Sequence, residues 1–515
     1  MSKQRDNFAL TNSVCILTDK DSSNLTRQDL IKVILQEQIE RITFHYTALD
    51  GRLKEMKIPL ESLKHTESVL ADGERLDGSS IFKGLVDTGN SDMYIVPDYT
   101  TAFLNPFEYG SIDFICRFIT PEGELAPFAP DNILQKASAL LQKNSGYQLN
   151  ALGELEFFLL HEPENIYYSV PKQKGYHNSS PFAKTSEILN EMLSLITMVT
   201  GNVKYGHYEV GCQDIINSDS IEINGKRVEQ GEIEFLPSPI EKAGDSLVLA
   251  RWIIRNVAYR NGMIATFAPK LDEGLAGNGM HIHMALKKNG KNQMVNGKGD
   301  LSKEAKKVIG GLCTYADSLT AFGNTVSGSY LRLVPNQEAP TNVCWSDRNR
   351  STLIRVPLGW GKGNNLAQKI NPQQQEPYEI KSSRQTVELR SPDGSANAHL
   401  LLAGIALAVD WGVSSPESLE IADNHYVTGN VHQDKAIISK LQSLPTSCSE
   451  SAKILLMHRK LYERDDIFPH SIISYIANQL QAENDDNLNK RLLDLLFEER
   501  LAESRRIMHK DLHKH

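Results

Sequence analysis

Four short segments of this chain place ionisable residues two apart, with apolar residues between them. Glu154 and Glu156 lie in GELEFFLL, Glu232 and Glu234 in GEIEFLP, His281 and His283 in GNGMHIHMAL, and Glu388 and Arg390 in TVELRSPDG. In an extended strand, residues i and i+2 face the same side. Each segment is therefore predicted to be a strand with one apolar face (Leu155 and Phe157, Ile233 and Phe235, Ile282 and Met284, Val387 and Leu389) and one face of Glu, His or Arg. A half-solvated antiparallel sheet alternates in the same way, but Lys, Thr and Ser are its usual covering. Carboxylates gathered on one sheet face repel one another unless cations balance them. Glutamate oxygens with an occasional imidazole suit hard or borderline divalent ions, Mg²⁺ or Mn²⁺.

A second cluster is basic. Arg332, Arg348, Arg350 and Arg355 fall within SYLRLVPNQEAPTNVCWSDRNRSTLIRVP, and Arg390 follows downstream. Arginine forks grip carboxylates and phosphates bidentately. Divalent ions and arginines together are the parts that hold a nucleotide during phosphoryl transfer. Rival signatures are missing: the chain has no GxxxxGK[ST], GxGxxG, HExxH or GxSxG. GWGKGNN at 359–365 has a lysine but neither the spacing nor the Ser/Thr of a P-loop.

The 515 residues leave room for several domains, and 40% hydrophobic with 23% charged residues describes a soluble globular chain. A net charge of −9 argues against a nucleic-acid partner. Six widely spaced cysteines form no CxxC pair, which points to a reducing, cytoplasmic setting. The longest apolar run, Leu400 to Val409, is too short to cross a membrane, and MSKQRDNFAL lacks the apolar core of a signal peptide.

Along the chain, residues 1–24 read as a polar, irregular arm. Thr26 with Asp29 three residues on predicts a helix start. Ile42, Phe44 and Tyr46 alternate, and Asp50-Gly51 predicts a hairpin. Residues 25–118 thus form a small α+β domain, TPEGELAPFAP (120–130) a linker, and 131–515 a larger mixed domain. Helices are expected at 240–262, at 302–322 and through the last 65 residues, where the tail HKDLHKH reads as a solvated end.

Eight ordered motifs resemble the glutamine synthetases: LDGSSI (76–81), SDMYIVPD (91–98), GELEFFL (153–159), ATFAPK (265–270), GNGMHIHMAL (277–286), SYLRLVPNQEAP (329–340), RNRSTLIRVP (348–357) and VELRSPDGSAN (387–397). The resemblance implies an α+β fold, with a small N-terminal β-grasp-like domain and a large catalytic domain whose curved antiparallel sheet is flanked by helices. It implies self-association into rings, with each active site completed by a neighbouring subunit. The implied reaction joins glutamate and ammonium with ATP as co-substrate, through a γ-glutamyl phosphate, using two or three Mg²⁺ or Mn²⁺ per site.

By matching motif, Glu156, Glu209 and Glu234 resemble the ligands of one metal, and Glu154, His281 and Glu388 those of a second. Arg332 and Gly277 resemble the glutamate-binding residues, with His281 bordering them. Asp77 and Ser80 resemble the ammonium site lent by a neighbour, with Asp77 as base, and Glu338 the flap carboxylate. Arg350 and Arg355 resemble phosphate-binding arginines, and Arg390 a stabiliser of the transferred phosphoryl group, with Arg350 and Arg390 counted as catalytic. His283, Arg355 and Ser383 fall at nucleotide positions. The chain departs from the family where Glu232 replaces a Gln, Ala276 an Asn, Ala285 a Ser and Ser383 a Lys, and from about residue 425 in a divergent helical extension. Two other readings are a γ-glutamyl-amine ligase and a catalytically silent scaffold. Asp77, Ser80 and Glu338 favour ammonia over an amine, and the six competent ligand positions disfavour the scaffold.

Overall fold

The computed structural model describes residues 8–163, 167–334, 339–359, 365–378, 382–431 and 435–514. From residue 8 on, the N-terminal arm is not irregular. Asn12 accepts from the Val14 N–H and starts α1 (Ser13–Thr18), which buries Val14 and Cys15. Thr26 and Asp29 form the capping box their spacing predicts, opening α2 (Arg27–Gln36). Strands β1 (Arg41–Thr47) and β2 (Leu53–Pro59) turn at Asp50-Gly51, where Gly51 takes φ +82°. Then follow α3 (Leu63–Asp72), β3 (Glu74–Asp77), α4 (Gly78–Ile81), β4 (Asp92–Pro97), β5 (Phe103–Leu104) and β6 (Ser111–Ile119). The sheet runs β2-β1-β6-β4-β3 with β5 on β6, and β1 pairs parallel with β6.

After the Pro-rich connection, Pro130 at the first turn opens α5 (Pro130–Ser145). The larger domain then sets out β7 (Gln148–His161), α6 (Ser186–Thr200), β8 (Val203–Gln213), β9 (Arg227–Phe235), β10 (Ser238–Pro239), α7 (Ile240–Arg260), β11 (Ile264–Thr266), β12 (Met280–Lys288), β13 (Lys291–Asn292), α8 (Lys303–Gly323), α9 (Ser327–Arg332), β14 (Trp345–Asp347), β15 (Ile354–Val356) and β16 (Val387–Leu389). Its sheet runs β14-β15-β16-β12-β7-β9-β8, with β10 and β11 on β7 and β13 on β12. The four alternating segments of the sequence are thus four consecutive strands, β16-β12-β7-β9, all antiparallel.

Their apolar faces pack inward beneath α5, α7 and α8, which α10 (Ala398–Ser414) packs against in turn. Helix α10 is apolar on every side and is buried accordingly. It meets α8 closely because Gly311 has no side chain; a Cβ there would lie 2.1 Å from the Ala408 carbonyl oxygen. Residues 415–514 add α11 (Ser418–Asn424), α12 (Lys435–Ile438), α13 (Cys448–Met457), α14 (Arg459–Glu463), α15 (His470–Gln481), α16 (Leu488–Leu493) and α17 (Phe497–His509). All six cysteines are buried and free. Among the described residues, no single helix is long and apolar enough to cross a membrane.

One buried hub joins the two domains. Arg117 on β6 reaches Asp98 at 3.2 Å, Asp131 at 3.1 Å and Asp245 on α7 at 2.6 Å, and Asp245 also holds His399 at 3.0 Å. The C-terminal helix makes a second clasp. From α17, Arg505 binds Asp272 at 2.9 and 3.0 Å, while Arg500 and Ser504 hold Glu273 at 3.1 and 3.0 Å. Met508 packs on Leu331 of α9.

Candidate active site

The polar face of β16-β12-β7-β9-β8 floors a cavity of about 530 Å³. Register decides which side chains meet. β12 sets His281 opposite Glu154, and β16 sets Glu388 opposite His283. Ligand atoms of Glu154, His281 and Glu388 consequently lie within 4.8 Å of one another. His281 Nδ1 is 2.9 Å from Glu154, and His283 Nε2 is 2.9 Å from the other oxygen of that carboxylate. Burial pushes Glu154 upward, but His283 and His281 outweigh it and hold it well below the usual carboxylate range. His283 also contacts Thr386 Oγ1 at 3.0 Å, so it sits behind Glu154 and is not part of the cavity wall.

A second cluster lies along β7, β8 and β9, and here the sequence reading needs correction. β9 sets Glu232, not Glu234, opposite both Glu156 and His207. Ligand atoms of His207, Glu209 and Glu232 fall within 4.8 Å of one another. Glu234 lies two residues further along, opposite Tyr205 on β8 and Glu154 on β7, and its carboxylate is taken by Lys204 at 2.6 Å. Gln230 donates to Glu156 at 3.0 Å, and the Gly279 N–H donates to it at 2.9 Å. Burial, then Glu232 and Glu209, push Glu156 well above its ordinary range. Glu232 is pushed up to about 7, by burial first and by Glu154 and Glu209. These groups strain electrostatically toward a cation. Two compact sets of carboxylate oxygens and imidazole nitrogens match the donors preferred by Mg²⁺ or Mn²⁺.

Arginines line the same cavity. Arg355 reaches Glu388 at 2.8 Å and Arg390 reaches it at 3.0 Å, while Arg390 also donates to the Arg350 carbonyl. Arg332 is buried at the end of α9, donating to the Ser391 carbonyl at 2.9 Å. Gly277 lies flat against it: a Cβ would fall 2.5 Å from the Pro269 oxygen and 3.0 Å from Arg332 Cγ. Ser383 accepts from the Gln385 N–H at 3.1 Å and lies off the cavity wall. Asp77 and Ser80 are exposed at the start of α4, away from their own chain's cavity. Hydrogen bonds from Ser80 and Ser79 hold Asp77 at about 2. Glu338 lies outside the described residues.

Several wall residues escaped the sequence reading: His207, Gln230, Lys270, Tyr176 and His177. Burial, reinforced by Arg332, pushes the Lys270 ammonium down to about 8. The rings of Tyr176, His177 and His207 lie in a row, tilted to one another, with 4.3 Å between the centroids of Tyr176–His177 and of His177–His207. The signal for Glu232 was present: Gln230-Gly231-Glu232 keeps the Gln-x-Glu spacing of the family's GQxE segment.

Family models described as the glutamine synthetase beta-Grasp domain and the glutamine synthetase catalytic domain match residues 38–121 and 128–492. A glutamine synthetase of Thermococcus kodakarensis is 31% identical over 423 residues, covering 81% of this chain and 84% of that protein. One of Thermus thermophilus is 30% identical over 399 residues, covering 75% and 80%. Among solved structures, the Plasmodium falciparum glutamine synthetase superposes with a TM-score of 0.70 at 22% identity, covering 90% of this chain and 97% of that one. Apo GmaS superposes with a TM-score of 0.67 at 21% identity, covering 92% and 98%.

Proposed function

The chain belongs to the glutamine synthetase family, and on that premise we propose that it is an ATP-dependent ligase condensing glutamate with ammonia through a γ-glutamyl phosphate. The observation that carries this reading is one cavity in which two carboxylate–imidazole clusters face Arg350, Arg355 and Arg390. Glu154, His281 and Glu388 would hold one divalent cation, and His207, Glu209 and Glu232 with neighbouring Glu156 another. Bound there, the cations supply positive charge against the nucleotide phosphates and the transferring phosphoryl group.

The side chains divide the remaining work. The buried Arg332 fork, pressed against Gly277, receives a carboxylate of glutamate. Arg355 and Arg390 are held in place by Glu388, so their remaining N–H groups are preorganised toward developing phosphoryl charge. Ammonium is inert until it loses a proton, and Asp77 with Ser80 would serve a neighbouring subunit's cavity in a ring, with Glu338 closing it. That neither side chain lines its own chain's cavity supports that arrangement. Six free cysteines favour a cytoplasmic enzyme.

The test is an acceptor panel. Full-length protein with Mg²⁺, ATP and glutamate should release phosphate with ammonium and not with methylamine, ethanolamine or a polyamine. Turnover indifferent to ammonium yet dependent on an organic amine would replace this reading with a γ-glutamyl-amine ligase.

A further inference from the structure

Away from the active site, three arginines converge where the β1–β2 hairpin, α7 and the C-terminal tail meet. Arg52 comes from the hairpin, Arg251 and Arg255 from successive turns of α7, and His513 from the tail. They border a cleft of about 330 Å³ whose other walls include Leu53, Val248 and Trp252. Buried guanidinium groups are normally paired, because an uncompensated charge removed from water is costly. Here Arg255 Nε and Nη2 and Arg251 Nε are buried without a hydrogen-bond partner.

The Asp393 carboxylate acts on Arg251, and the positive charge left over is that of Arg255, whose charged neighbours are Arg251 and Arg52. Arg251 donates to the Ala396 carbonyl and contacts the Met280 sulfur. Arg52 donates to the carbonyls of His513 and Lys514, and its backbone N–H is taken by Asp50. His513 is itself held by Glu222 at 2.9 Å. Both α7 guanidiniums lean over the Phe267 ring, at 5.8 Å for Arg251 and 5.0 Å for Arg255. Burial, then the repulsion of Arg251 and Arg52, pushes Arg255 down to about 9.

We propose that this cleft binds a small organic oxyanion, its phosphate or carboxylate group seated on Arg255 and Arg52 and its apolar part against Leu53, Val248 and Trp252. Guanidinium forks suit either group, and the volume fits a small metabolite. The site backs onto the active centre: Phe267 lies three residues before Lys270, and the Pro269 carbonyl holds Asn278 at 2.9 Å beside Gly277. Occupancy therefore reaches the wall of the active cavity through one short segment.

The test is calorimetric titration of the full chain in EDTA, with inorganic phosphate and with phenyl phosphate. A binding event should appear that Arg255→Met and Arg52→Gln each weaken by about tenfold or more, the scale of a lost charge-assisted bond. Arg355→Gln, which alters the active cavity, should leave that event in place. Arg52 is exposed, so Arg52→Gln reads the site even if Arg255→Met fails to fold. Tighter binding of phenyl phosphate identifies an organic ligand, whereas equal affinities overturn the apolar part of the proposal. Affinity unchanged in Arg255→Met and Arg52→Gln, or binding abolished by Arg355→Gln alone, overturns the site.

Discussion

Replacing Glu232 and Glu234 separately with Gln discriminates the two registers of the second cluster. In the metal-free protein, Glu232 lies 3.4 Å from His207 and within 4.8 Å of Glu209. At an effective dielectric of about 20, the first separation is worth about 5 kcal/mol of attraction to a protonated imidazole, and the second about 3.5 kcal/mol of repulsion. The remaining attraction of about 1.5 kcal/mol is opposed by the further repulsion of Glu154. Glu232→Gln should therefore shift fold stability by only about 1 kcal/mol. Divalent binding responds differently, because the amide removes a charged oxygen from the ligand set. Loss of even an indirect partner costs 10–100-fold in metal affinity, so loss of a ligand should cost about 100-fold or more. Glu234→Gln alters contacts with half-exposed Lys204 and with Tyr205, neither in the ligand set, and Mn²⁺ affinity should stay within about threefold. Mn²⁺ titration by electron paramagnetic resonance, with melting curves in EDTA, measures both quantities. If Glu234→Gln abolishes binding while Glu232→Gln retains it, the placement of this cluster is wrong.

Glu388→Gln should lower turnover at least about 100-fold and cost about 1–3 kcal/mol of stability, because Arg355 and Arg390 both lose an anionic partner; a fully active variant contradicts the other cluster. Arg505→Ala frees Asp272 from its bidentate hold, and should raise the KM for glutamate several-fold with little change in kcat, since it loosens the segment leading to Gly277; an unchanged KM would deny the C-terminal clasp any part in substrate binding. Asp245 is pushed up by burial, but Arg117 and His399 outweigh this and hold it below its ordinary 3.8. Its contribution is complete above about pH 4 and is lost as pH falls toward the depressed folded value. The acid limb of a fluorescence-monitored stability curve should accordingly flatten in Asp245→Asn, and a limb identical to the parent's would exclude this residue as its source.

Alternation of period two made four strands and their polar face legible, and the sheet indeed sets those strands side by side. The same period explains the error at Glu234. A shift of two residues along a strand keeps every side chain on its face, so alternation cannot separate Glu232 from Glu234. Only the pairing of β9 with β8 and β7 does. The capping box at Thr26 was readable because its two halves are three residues apart. Helix α1 was not, since six residues with two buried side chains carry almost no periodic signal. The hold of α17 on Asp272 and Glu273 spans more than 220 positions, and no local pattern announces it.

The Arg117 hub means that a boundary in sequence is not a boundary in stability. Its three aspartates come from the small domain, the first turn of α5 and the second turn of α7. Separating the domains would strand a cation on one side and two anions on the other, each newly in need of water. One continuous apolar cluster also runs through both sheets. Heat or denaturant should therefore melt the two domains in a single transition. The small domain produced by itself would be an incomplete folding unit, with its charge balance left on the missing half.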